Sequence, residues 1–260
     1  MKFDELDAKM RVFETARDPA ALSDVYLIAR IDGRSFTRLT KEIMEYDRPF
    51  DIRFRGAMIA TVEHLMSCGF RATFGYTQSD EISLLFDRDE NSFGRNIRKW
   101  TSILAGEASA AFSIQIGRPA AFDCRIIELP TAQLVVDYFR WRNEDAHRNA
   151  LNAWCYWKLR DEGMDVGAAT SQIEGMSVSA KNELLFARGV NFNDLPHWQR
   201  RGTGVIWEDY DKPATNPKTG ASTTARRRRL KPLLELPMRD EYSVLIASLL
   251  QTPQREKSAT

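Results

Sequence analysis

The sequence predicts an α+β protein: a β-α-β-β-α-β core of the ferredoxin type, then a helical region, then a C-terminal β-hairpin. Apolar runs of strand length alternate with segments of helical periodicity, and two of the β-rich runs are separated only by a short polar tip. In this plan two helices cover one face of an antiparallel sheet. We therefore expect the opposite face of the sheet to be free for function.

The first strand is predicted over Asp24 to Ile31, an apolar and β-branched run that stops at the turn pair Asp32-Gly33. Glycine lets the backbone reverse there or approach a ligand closely. The first helix is expected to begin with Asp51 as its N-cap and to end near Gly69, because its apolar residues recur at three- and four-residue steps.

The next two strands form a hairpin whose polar tip is Thr77 to Asp80. A second amphipathic helix follows, with Asn91 or Ser92 as the expected cap and Phe93 on its apolar face. Residues Ala121 to Leu129 are the expected fourth strand.

After residue 130 the sequence pattern becomes helical. Helices are predicted over Leu134 to Glu162, Val166 to Gln172 and Ser177 to Phe186. Two β-rich segments flank a Gly/Pro/Ser/Thr-rich stretch, so we expect a long-looped hairpin before a last helix at Asp240 to Leu250. We divide the chain into regions 1–132 and 133–260, and one continuous domain is the alternative.

Composition excludes several classes of protein. The chain has 260 residues, with 37 Lys plus Arg against 36 Asp plus Glu, and 43% of its residues are hydrophobic. It is too apolar to be disordered and too balanced in charge to be a uniformly basic nucleic-acid binder. No apolar run approaches the ~18–20 residues of a membrane span, and the first residues lack the apolar stretch of a signal peptide. We expect a cytoplasmic protein with no membrane partner.

The three cysteines, Cys68, Cys124 and Cys155, are widely spaced. No Cys-x-x-Cys pair or Cys/His cluster occurs, which argues against structural zinc. We expect reduced cysteines in or near the core.

Acidic residues stand at two predicted strand ends. Asp32 follows the first strand, and Asp80 and Glu81 lie at the hairpin tip. The first strand of this fold lies beside the hairpin, so the carboxylates can converge. Close carboxylates repel unless a cation lies between them, and Mg²⁺ accepts one or two carboxylates with waters and substrate phosphates. Two such ions would serve phosphoryl transfer. Asp32-Gly33 and Ser79-Asp80 are also compatible with ordinary turns, in which Asp is favoured.

Seven segments, taken together and in order, resemble the tRNA-histidine guanylyltransferase family. They are RIDGRSF (Arg30 to Phe36), RPFD (Arg48 to Asp51), YTQSDEISLLF (Tyr76 to Phe86), FD-R (Phe122 to Arg125), DYFRWR (Asp137 to Arg142), KNELLF (Lys181 to Phe186) and RGTG (Arg201 to Gly204). The resemblance implies a palm-like catalytic region in residues 1–132, related to that of polymerases but working in the 3′-to-5′ direction on the 5′ end of tRNA. It also implies two Mg²⁺ ions, ATP and GTP or another NTP as substrates, and a homotetramer.

The resemblance implies site residues as well. Asp32 and Asp80 match metal-binding carboxylates, the Gly33 carbonyl would add a ligand, and Glu81 is the adjacent acid, counted among the catalytic residues. Many members have Lys at the position of Arg48. The positions that match nucleotide or triphosphate contacts are Arg30, Gly33, Arg34, Ser35, Phe36, Arg48, Asp51, Ser79, Lys99, Lys181, Asn182 and Glu183.

One motif departs from the family pattern. Members that add the extra guanylate carry His-x-Asn-Asn, whereas this chain has His147-Arg148-Asn149-Ala150. The change resembles the guanylyltransferase-like branch, which repairs truncated tRNA 5′ ends. We therefore expect template-dependent repair through ATP-dependent 5′-adenylylation, with guanylate addition specific to tRNA-histidine as the alternative. His147 and Asn149 are candidate tRNA contacts, and a half-buried structural role is the alternative for His147.

The stretch from Pro213 to Leu234 contains Lys218 and the run Arg226, Arg227, Arg228 and Arg229 without any acidic residue. We expect a mobile arm that contacts an RNA backbone, and a solvated hairpin edge is the alternative. Trp154, Tyr156 and Trp157 are candidates for base stacking or for core and interface packing. A non-catalytic RNA-binding module and a nucleotide cyclase are the rival classes.

Overall fold

The structure is a computed structural model of the chain, and it describes residues 1–215 and 221–251. The strands are β1 (Tyr26–Gly33), β2 (Ala72–Gln78), β3 (Glu81–Phe86), β4 (Phe122–Leu129), β5 (Thr203–Thr215) and β6 (Ser222–Leu233). The helices are α1 (Phe3–Thr15), α2 (Phe36–Arg38), α3 (Ile52–Ser67), α4 (Ile97–Ile116), α5 (Ala132–Asp161), α6 (Val166–Ile173), α7 (Val178–Phe186), α8 (His197–Arg201) and α9 (Arg239–Gln251).

The strands form one antiparallel sheet in the order β4-β1-β3-β2-β5-β6. Its first four strands have the arrangement expected of the β-α-β-β-α-β core, so the α+β prediction is confirmed. The C-terminal hairpin extends the same sheet, because Phe74–Thr77 of β2 pair with Thr203–Ile206 of β5. The predicted division at residue 132 therefore runs through a continuous sheet, and it stays a prediction.

Both faces of the sheet are covered. Leu27 and Ile31 of β1 belong to the core beneath α3 and α4, together with Trp100. Ile28 belongs to a second core, where α5 and α9 contribute residues such as Phe139. The expectation of a free face is wrong, because the helical region folds back onto it. The signal is visible in β1 and β3, which are apolar at consecutive positions rather than alternate ones.

The start of α4 differs from its prediction. Asn96, and not Asn91 or Ser92, caps the helix, with its side-chain oxygen accepting a 2.9 Å hydrogen bond from the Lys99 amide. A 3₁₀ turn precedes the helix, and Phe93 within it has a φ of 55° and is 56% exposed. The expected apolar contribution of Phe93 to the helix face is therefore wrong.

The C-terminal hairpin is more extended than expected. Strand pairing continues out to Thr215 and Ser222, so residues 213–215 and 222–225 of the Gly/Pro/Ser/Thr-rich stretch are strand rather than loop. Lys218 lies outside the described residues. Beyond Ile206, β5 pairs with β6 in a two-stranded ribbon.

Helix α1 was not expected from the sequence, and none of its residues is buried. No helix in the described parts of the chain has the length and apolar character that a membrane span needs. The cysteines are free, as expected. Burial raises the pKa of the Cys68 and Cys155 thiols to about 11 in each case.

Candidate active site

The hairpin tip is joined to the end of β1. Asp32 lies opposite Glu81 in the β1–β3 ladder, and the Gly33 amide donates a 3.0 Å hydrogen bond to the Asp80 carbonyl. Ser79, with a φ of 52°, makes the tight turn between β2 and β3. The fold thus brings Asp32, Gly33, Ser79 and Asp80 to one end of the sheet, where the sequence places them.

The charge environment of Asp80 shows that these carboxyl groups interact. Burial raises the pKa of the Asp80 carboxyl, a hydrogen bond from the Ser79 hydroxyl opposes this, and the nearby charge of Asp32 adds to the rise. The Ser79 hydroxyl donates to Asp80 Oδ1 at 3.0 Å. A bound cation would relieve both the burial cost and the repulsion.

The available donors fit Mg²⁺. Asp32, Asp80 and the Gly33 carbonyl supply only hard oxygen atoms, and Mg²⁺ completes such a set with waters and phosphates. Within residues 1–215 and 221–251 there is no group of three or more His, Cys, Asp or Glu that could hold a metal by itself. The site therefore suits a metal that arrives with its phosphate substrate, and it does not suit structural zinc.

Glu81 is already paired. Its carboxylate accepts hydrogen bonds of 2.7 and 2.8 Å from Arg142 and forms a 2.6 Å ion pair with Arg30. Glu81 and Arg142 are buried. The sequence predicted a catalytic role for Glu81 and a nucleotide contact for Arg30, but it did not predict that both Arg30 and Arg142 pair with Glu81. The DYFRWR segment, which contains Arg142, was the available signal.

Gly33 occupies a position that a larger residue would not fit. A Cβ atom there would lie 2.5 Å from the Phe36 ring, which is buried and packs 4.9 Å from Phe122 between ring centroids. Phe36 thus supports the backbone beneath the carboxylates, while Arg34 and Ser35 are exposed beside it.

Asp123 is an acidic neighbour that the sequence reasoning missed. It lies opposite Asp32 in the β1–β4 ladder, and its carboxylate is 3.8 Å from the Arg125 guanidinium. Directly opposite residues of a ladder share a face of the sheet. Asp123 therefore adds negative charge on the same face as Asp32. The FD-R segment was the available signal.

A cavity of about 220 Å³ opens beside Asp80. Its walls come from the loop 46–51, the hairpin tip, α3, and two tryptophans, Trp157 of α5 and Trp198 of α8. Trp157, one of the aromatic residues considered for base stacking, therefore lies in the cavity wall rather than in the core.

Three cations line this cavity. The guanidinium of Arg48 lies 4.4 Å from the Trp157 ring centroid, and the Lys41 ammonium lies 5.2 Å from it. Arg55 stacks on Trp198 at 4.6 Å, and its buried Nε has no hydrogen-bond partner. None of the three forms a salt bridge with a carboxylate of the described residues, so their charge is available to phosphate oxygens.

Asp51 holds part of the cavity wall in place. It caps α3 by accepting a 2.6 Å hydrogen bond from the Arg53 amide, and it accepts another of 2.8 Å from the Asp47 amide. Burial pushes the pKa of Asp51 upward, but the hydrogen bonds from Arg53 and Asp47 outweigh it and lower the pKa to about 2. Asp51 is the predicted cap.

Comparison with known proteins identifies the family. The family model described as Thg1, tRNAHis guanylyltransferase, matches residues 7–130, and the model of the Thg1 C-terminal domain matches residues 133–239. The chain belongs to the tRNAHis guanylyltransferase family. This is a family of nucleotidyltransferases, and the resemblance predicted from the seven segments is confirmed.

Curated relatives align over most of the chain. The tRNA(His) guanylyltransferase of Debaryomyces hansenii is 31% identical over 233 residues, which are 84% of this chain and 88% of the relative. The probable tRNA(His) guanylyltransferase of Homo sapiens is 28% identical over 241 residues, 86% of this chain and 80% of the relative.

Solved structures share the fold. A bacterial tRNA(His) guanylyltransferase (Thg1)-like protein in complex with GTP superposes with a TM-score of 0.72 at 26% identity, covering 95% of this chain and 100% of that one. A bacterial Thg1-like protein in complex with ATP has a TM-score of 0.73 at 27% identity, with the same two coverages. The Saccharomyces cerevisiae enzyme has a TM-score of 0.70 at 25% identity, covering 79% of this chain and 93% of that one.

Several positions matched to family motifs lie away from the cavity of this guanylyltransferase family member. Lys99 is exposed in the first turn of α4, and Lys181, Asn182 and Glu183 lie on α7. The Asn182 side-chain amide donates a 2.8 Å hydrogen bond to the Val178 carbonyl of its own helix. None of the four lines the cavity beside Asp80.

The two predicted tRNA contacts of α5 have different environments. His147 is half-buried against the Phe192 ring, 5.2 Å between centroids, and its buried Nδ1 has no partner. Burial lowers the pKa of His147 to about 4, and the charges of Arg200 and Arg201 add to this. Asn149 is exposed and donates a 3.1 Å hydrogen bond to Asp145.

The arginine tract is a strand and not a mobile arm, so that expectation is wrong. Three of its four arginines contact acidic or aromatic side chains of β5, and the sequence reasoning did not predict these pairs. Arg226 forms a 3.0 Å ion pair with Asp209, Arg229 a 2.6 Å ion pair with Glu208, and Arg228 lies 4.5 Å from the Trp207 ring centroid. Arg227 is exposed and has no ion pair or ring contact among the described residues.

Proposed function

We propose that this protein is a magnesium-dependent nucleotidyltransferase that adds a guanylate to the 5′ end of tRNA-histidine. The observation that carries the proposal is Asp80 in the wall of a cavity that Lys41, Arg48 and Arg55 also line, with Asp32 brought to the same end of the sheet by the hydrogen bond between Gly33 and Asp80. Two carboxylates next to three unpaired cations suit a metal-bound nucleoside triphosphate. Relatives named tRNA(His) guanylyltransferase, in a yeast and in human, support tRNA-histidine as the substrate rather than truncated tRNAs in general.

The reaction must first create a leaving group, because a tRNA 5′-monophosphate has none. An oxygen of that phosphate attacks the α-phosphorus of ATP, pyrophosphate leaves, and the 5′ end is adenylylated. The 3′-hydroxyl of GTP then attacks the activated tRNA phosphorus, loses its proton and expels AMP. The two bacterial Thg1-like neighbours are in complex with GTP and with ATP, which supports both nucleotides as ligands of this protein.

The residues of this chain have separable tasks in that sequence. Asp32, Asp80 and the Gly33 carbonyl would hold Mg²⁺, which would neutralise phosphate charge and favour loss of the hydroxyl proton. Lys41, Arg48 and Arg55 bind triphosphate oxygens, and the indole of Trp157 holds the side chains of Lys41 and Arg48 at the cavity mouth.

Repair of truncated tRNA is the second candidate, and Ala150 favours it. Ala150 takes the place of the last Asn of the His-x-Asn-Asn pattern and is buried in the core of the helical region. An Asn side chain at this position would need hydrogen-bond partners that an apolar core does not supply. Any contact that the family's Asn makes is therefore missing here.

One assay separates the two functions. Tritium- or phosphorus-labelled tRNA-histidine without its extra guanylate, and a tRNA lacking its first nucleotide, are each incubated with Mg²⁺, ATP and one NTP. Guanylate addition to tRNA-histidine alone supports the main proposal, and templated addition of any nucleotide to the truncated tRNA supports repair. If neither adenylylated nor extended product forms, both are refuted.

The same proposal includes two expectations of how tRNA is held. The β5–β6 ribbon would contact the RNA backbone through Arg226 to Arg229, since phosphate contacts need exposed cations. The homotetramer implied by the resemblance would let one tRNA span two subunits. Light scattering of the purified protein, alone and with tRNA, measures the number of subunits.

A further inference from the structure

The carboxylate of Glu81 lies next to the proposed metal site but is held by arginines. Arg30 and Asp32 are two residues apart on β1, and Glu81 is the ladder partner of Asp32, so the three side chains share a face of the sheet. Arg142 approaches from α5 and contacts both carboxylate oxygens, Nε to Oε1 at 2.7 Å and Nη2 to Oε2 at 2.8 Å.

Arg142 is itself fixed in orientation. Its guanidinium lies 3.3 Å from the Asp145 carboxylate and 4.6 Å from the Trp141 ring centroid, and only 5% of the residue is exposed. A planar guanidinium with two parallel contacts to a carboxylate permits one orientation of that carboxylate. Helix α5 therefore determines where the Glu81 side chain lies.

The backbone of Glu81 transmits this restraint to the metal site. Its carbonyl accepts a 3.0 Å hydrogen bond from the Thr77 hydroxyl across the hairpin, and the next residue toward the tip is Asp80. On its other side Asp80 is held by the Gly33 amide. A displaced Glu81 would move the Asp80 turn, and a free Glu81 carboxylate would add a third negative group beside Asp32 and Asp80.

We propose that Arg142 is a positioning residue for the metal site: together with Arg30 it holds the Glu81 carboxylate in a buried ion pair, so that Asp80 stays beside Asp32 and Glu81 stays out of the metal shell. This inference rests on the proposed function, since it assigns the metal to Asp32 and Asp80. It makes Glu81 a positioning residue too, although its sequence motif suggests a catalytic acid.

The test compares Arg142→Gln, Arg142→Lys, Glu81→Gln and the double variant Glu81→Gln/Arg142→Gln, with Asp80→Asn as the reference for loss of a metal ligand. Binding of Mn²⁺, a spectroscopic substitute for Mg²⁺, is measured by electron paramagnetic resonance on the protein saturated with a non-hydrolysable nucleoside triphosphate, which supplies the phosphate ligands that the site needs. Thermal unfolding and single-turnover transfer are measured alongside. Arg140→Gln is the matched control on the same helix, because Arg140 pairs with Glu144 and Asp240 on the surface.

Arg142→Gln is expected to weaken Mn²⁺ binding by ~10-fold or more, as loss of a group that orients a metal ligand does. Arg142→Lys keeps the charge but loses the two-point contact, so it should fall between wild type and Arg142→Gln. The double variant replaces the ion pair by two uncharged amides that can hydrogen-bond to each other, so it should restore part of the positioning and recover part of the Mn²⁺ affinity.

Three outcomes would overturn the inference: wild-type Mn²⁺ affinity in Arg142→Gln, no recovery in the double variant, or loss of Mn²⁺ binding in Glu81→Gln equal to that of Asp80→Asn. The last would make Glu81 a metal ligand. If Arg142→Gln does not fold, the Lys and double variants carry the test. A wild-type protein that binds Mn²⁺ but transfers no nucleotide would refute the proposed function and leave the positioning role intact.

Discussion

The amide of Gly33 donates a 3.0 Å hydrogen bond to the carbonyl of Asp80, and this bond joins the end of β1 to the tip of the β2–β3 hairpin. Gly33 and Asp80 are 47 positions apart in the chain. Their hydrogen bond brings the carboxylates of Asp80 and of Asp32, which precedes Gly33, to one end of the sheet. The bond uses only backbone atoms, but it forms only when β1 and the hairpin are in register.

Replacing either carboxylate of the proposed metal site by its amide should remove transfer activity. Asp32→Asn and Asp80→Asn are nearly isosteric, so the fold and tRNA binding should persist while nucleotide addition falls by at least ~100-fold. The assay is extension of 5′-labelled tRNA with Mg²⁺, ATP and GTP. Asp89→Asn changes an exposed carboxylate in the turn that follows β3 and should behave as wild type. Undiminished turnover in either site variant would remove that residue from the site.

The stability of the fold should require a residue without a side chain at position 33. Gly33→Ala places a Cβ 2.5 Å from the Phe36 ring, and overpacking of this kind costs about 1–3 kcal/mol of unfolding free energy. Gly56→Ala is the matched control, because its Cβ meets no atom within 4 Å in the middle of α3. Alanine is the better helix former, so Gly56→Ala should stabilise the protein by up to ~1 kcal/mol. Urea unfolding measures both, and equal effects would contradict the packing explanation.

Arg48 should contribute to binding of the activating nucleotide rather than to chemistry. Arg48→Ala should raise the KM for ATP by ~10-fold or more with little change in kcat, as expected when a charged hydrogen bond made equally in ground and transition states is lost. Arg48→Lys should remain within about threefold of wild type, since the family resemblance places Lys at this position. Arg118→Ala, at an exposed arginine after α4, controls for net charge. A fall in kcat alone would contradict this role.

The ionised form of Asp51 should stabilise the fold. Its pKa is about 2, below the ~3.9 of an unfolded chain, so its contribution is fully present above pH 4 to 5 and is lost as the pH falls toward 2. Asp51→Asn keeps the helix cap but loses the charge, and it should cost on the order of 2 kcal/mol at pH 7. The difference from wild type should shrink as the pH falls through this window. Urea unfolding at pH 7, 5, 4 and 3 checks both statements.

Asp165→Asn is the control for Asp51→Asn. Asp165 caps α6 by accepting a 2.8 Å hydrogen bond from the Ala168 amide, and it has no arginine partner among the described residues. Asn and Asp are equally good caps, so this change should have little effect at any pH. A pH-independent difference between Asp51→Asn and wild type would contradict a stabilising role of the Asp51 charge.

Arg227 should report whether the ribbon contacts RNA. It has no ion pair or ring contact in the described residues, whereas its neighbours in the tract are paired with β5. Arg227→Ala should weaken tRNA binding and lower the slope of log affinity against log salt by ~1, the value for one phosphate contact. Arg118→Ala removes the same charge elsewhere. Identical salt slopes for the two variants would exclude Arg227 from the RNA interface.

Features that depend on residues close together in the chain could be predicted, and most contacts between distant residues could not. The elements of the core, the Asp51 cap and the placement of Asp32 and Asp80 at one end of the sheet were all accessible from the sequence, because each depends on a run of neighbouring residues or on a common topology. The cap of α4 was misplaced because a 3₁₀ turn between Ser92 and Arg95 delays the helix by one turn, and two Asn residues in one short stretch compete for that role.

The sequence by itself determined the fold class, the family and the acidic residues of the candidate site, because local periodicity and short motifs carry that information. Only the tertiary structure decided the partners: Glu81 with Arg142, Arg48 with Trp157, and the arginine tract with the acidic residues of β5. It also decided that α5 and α9 close the second face of the sheet. Periodicity shows which side of an element is apolar or charged, but the partner of a buried charge depends on how separate elements pack against each other.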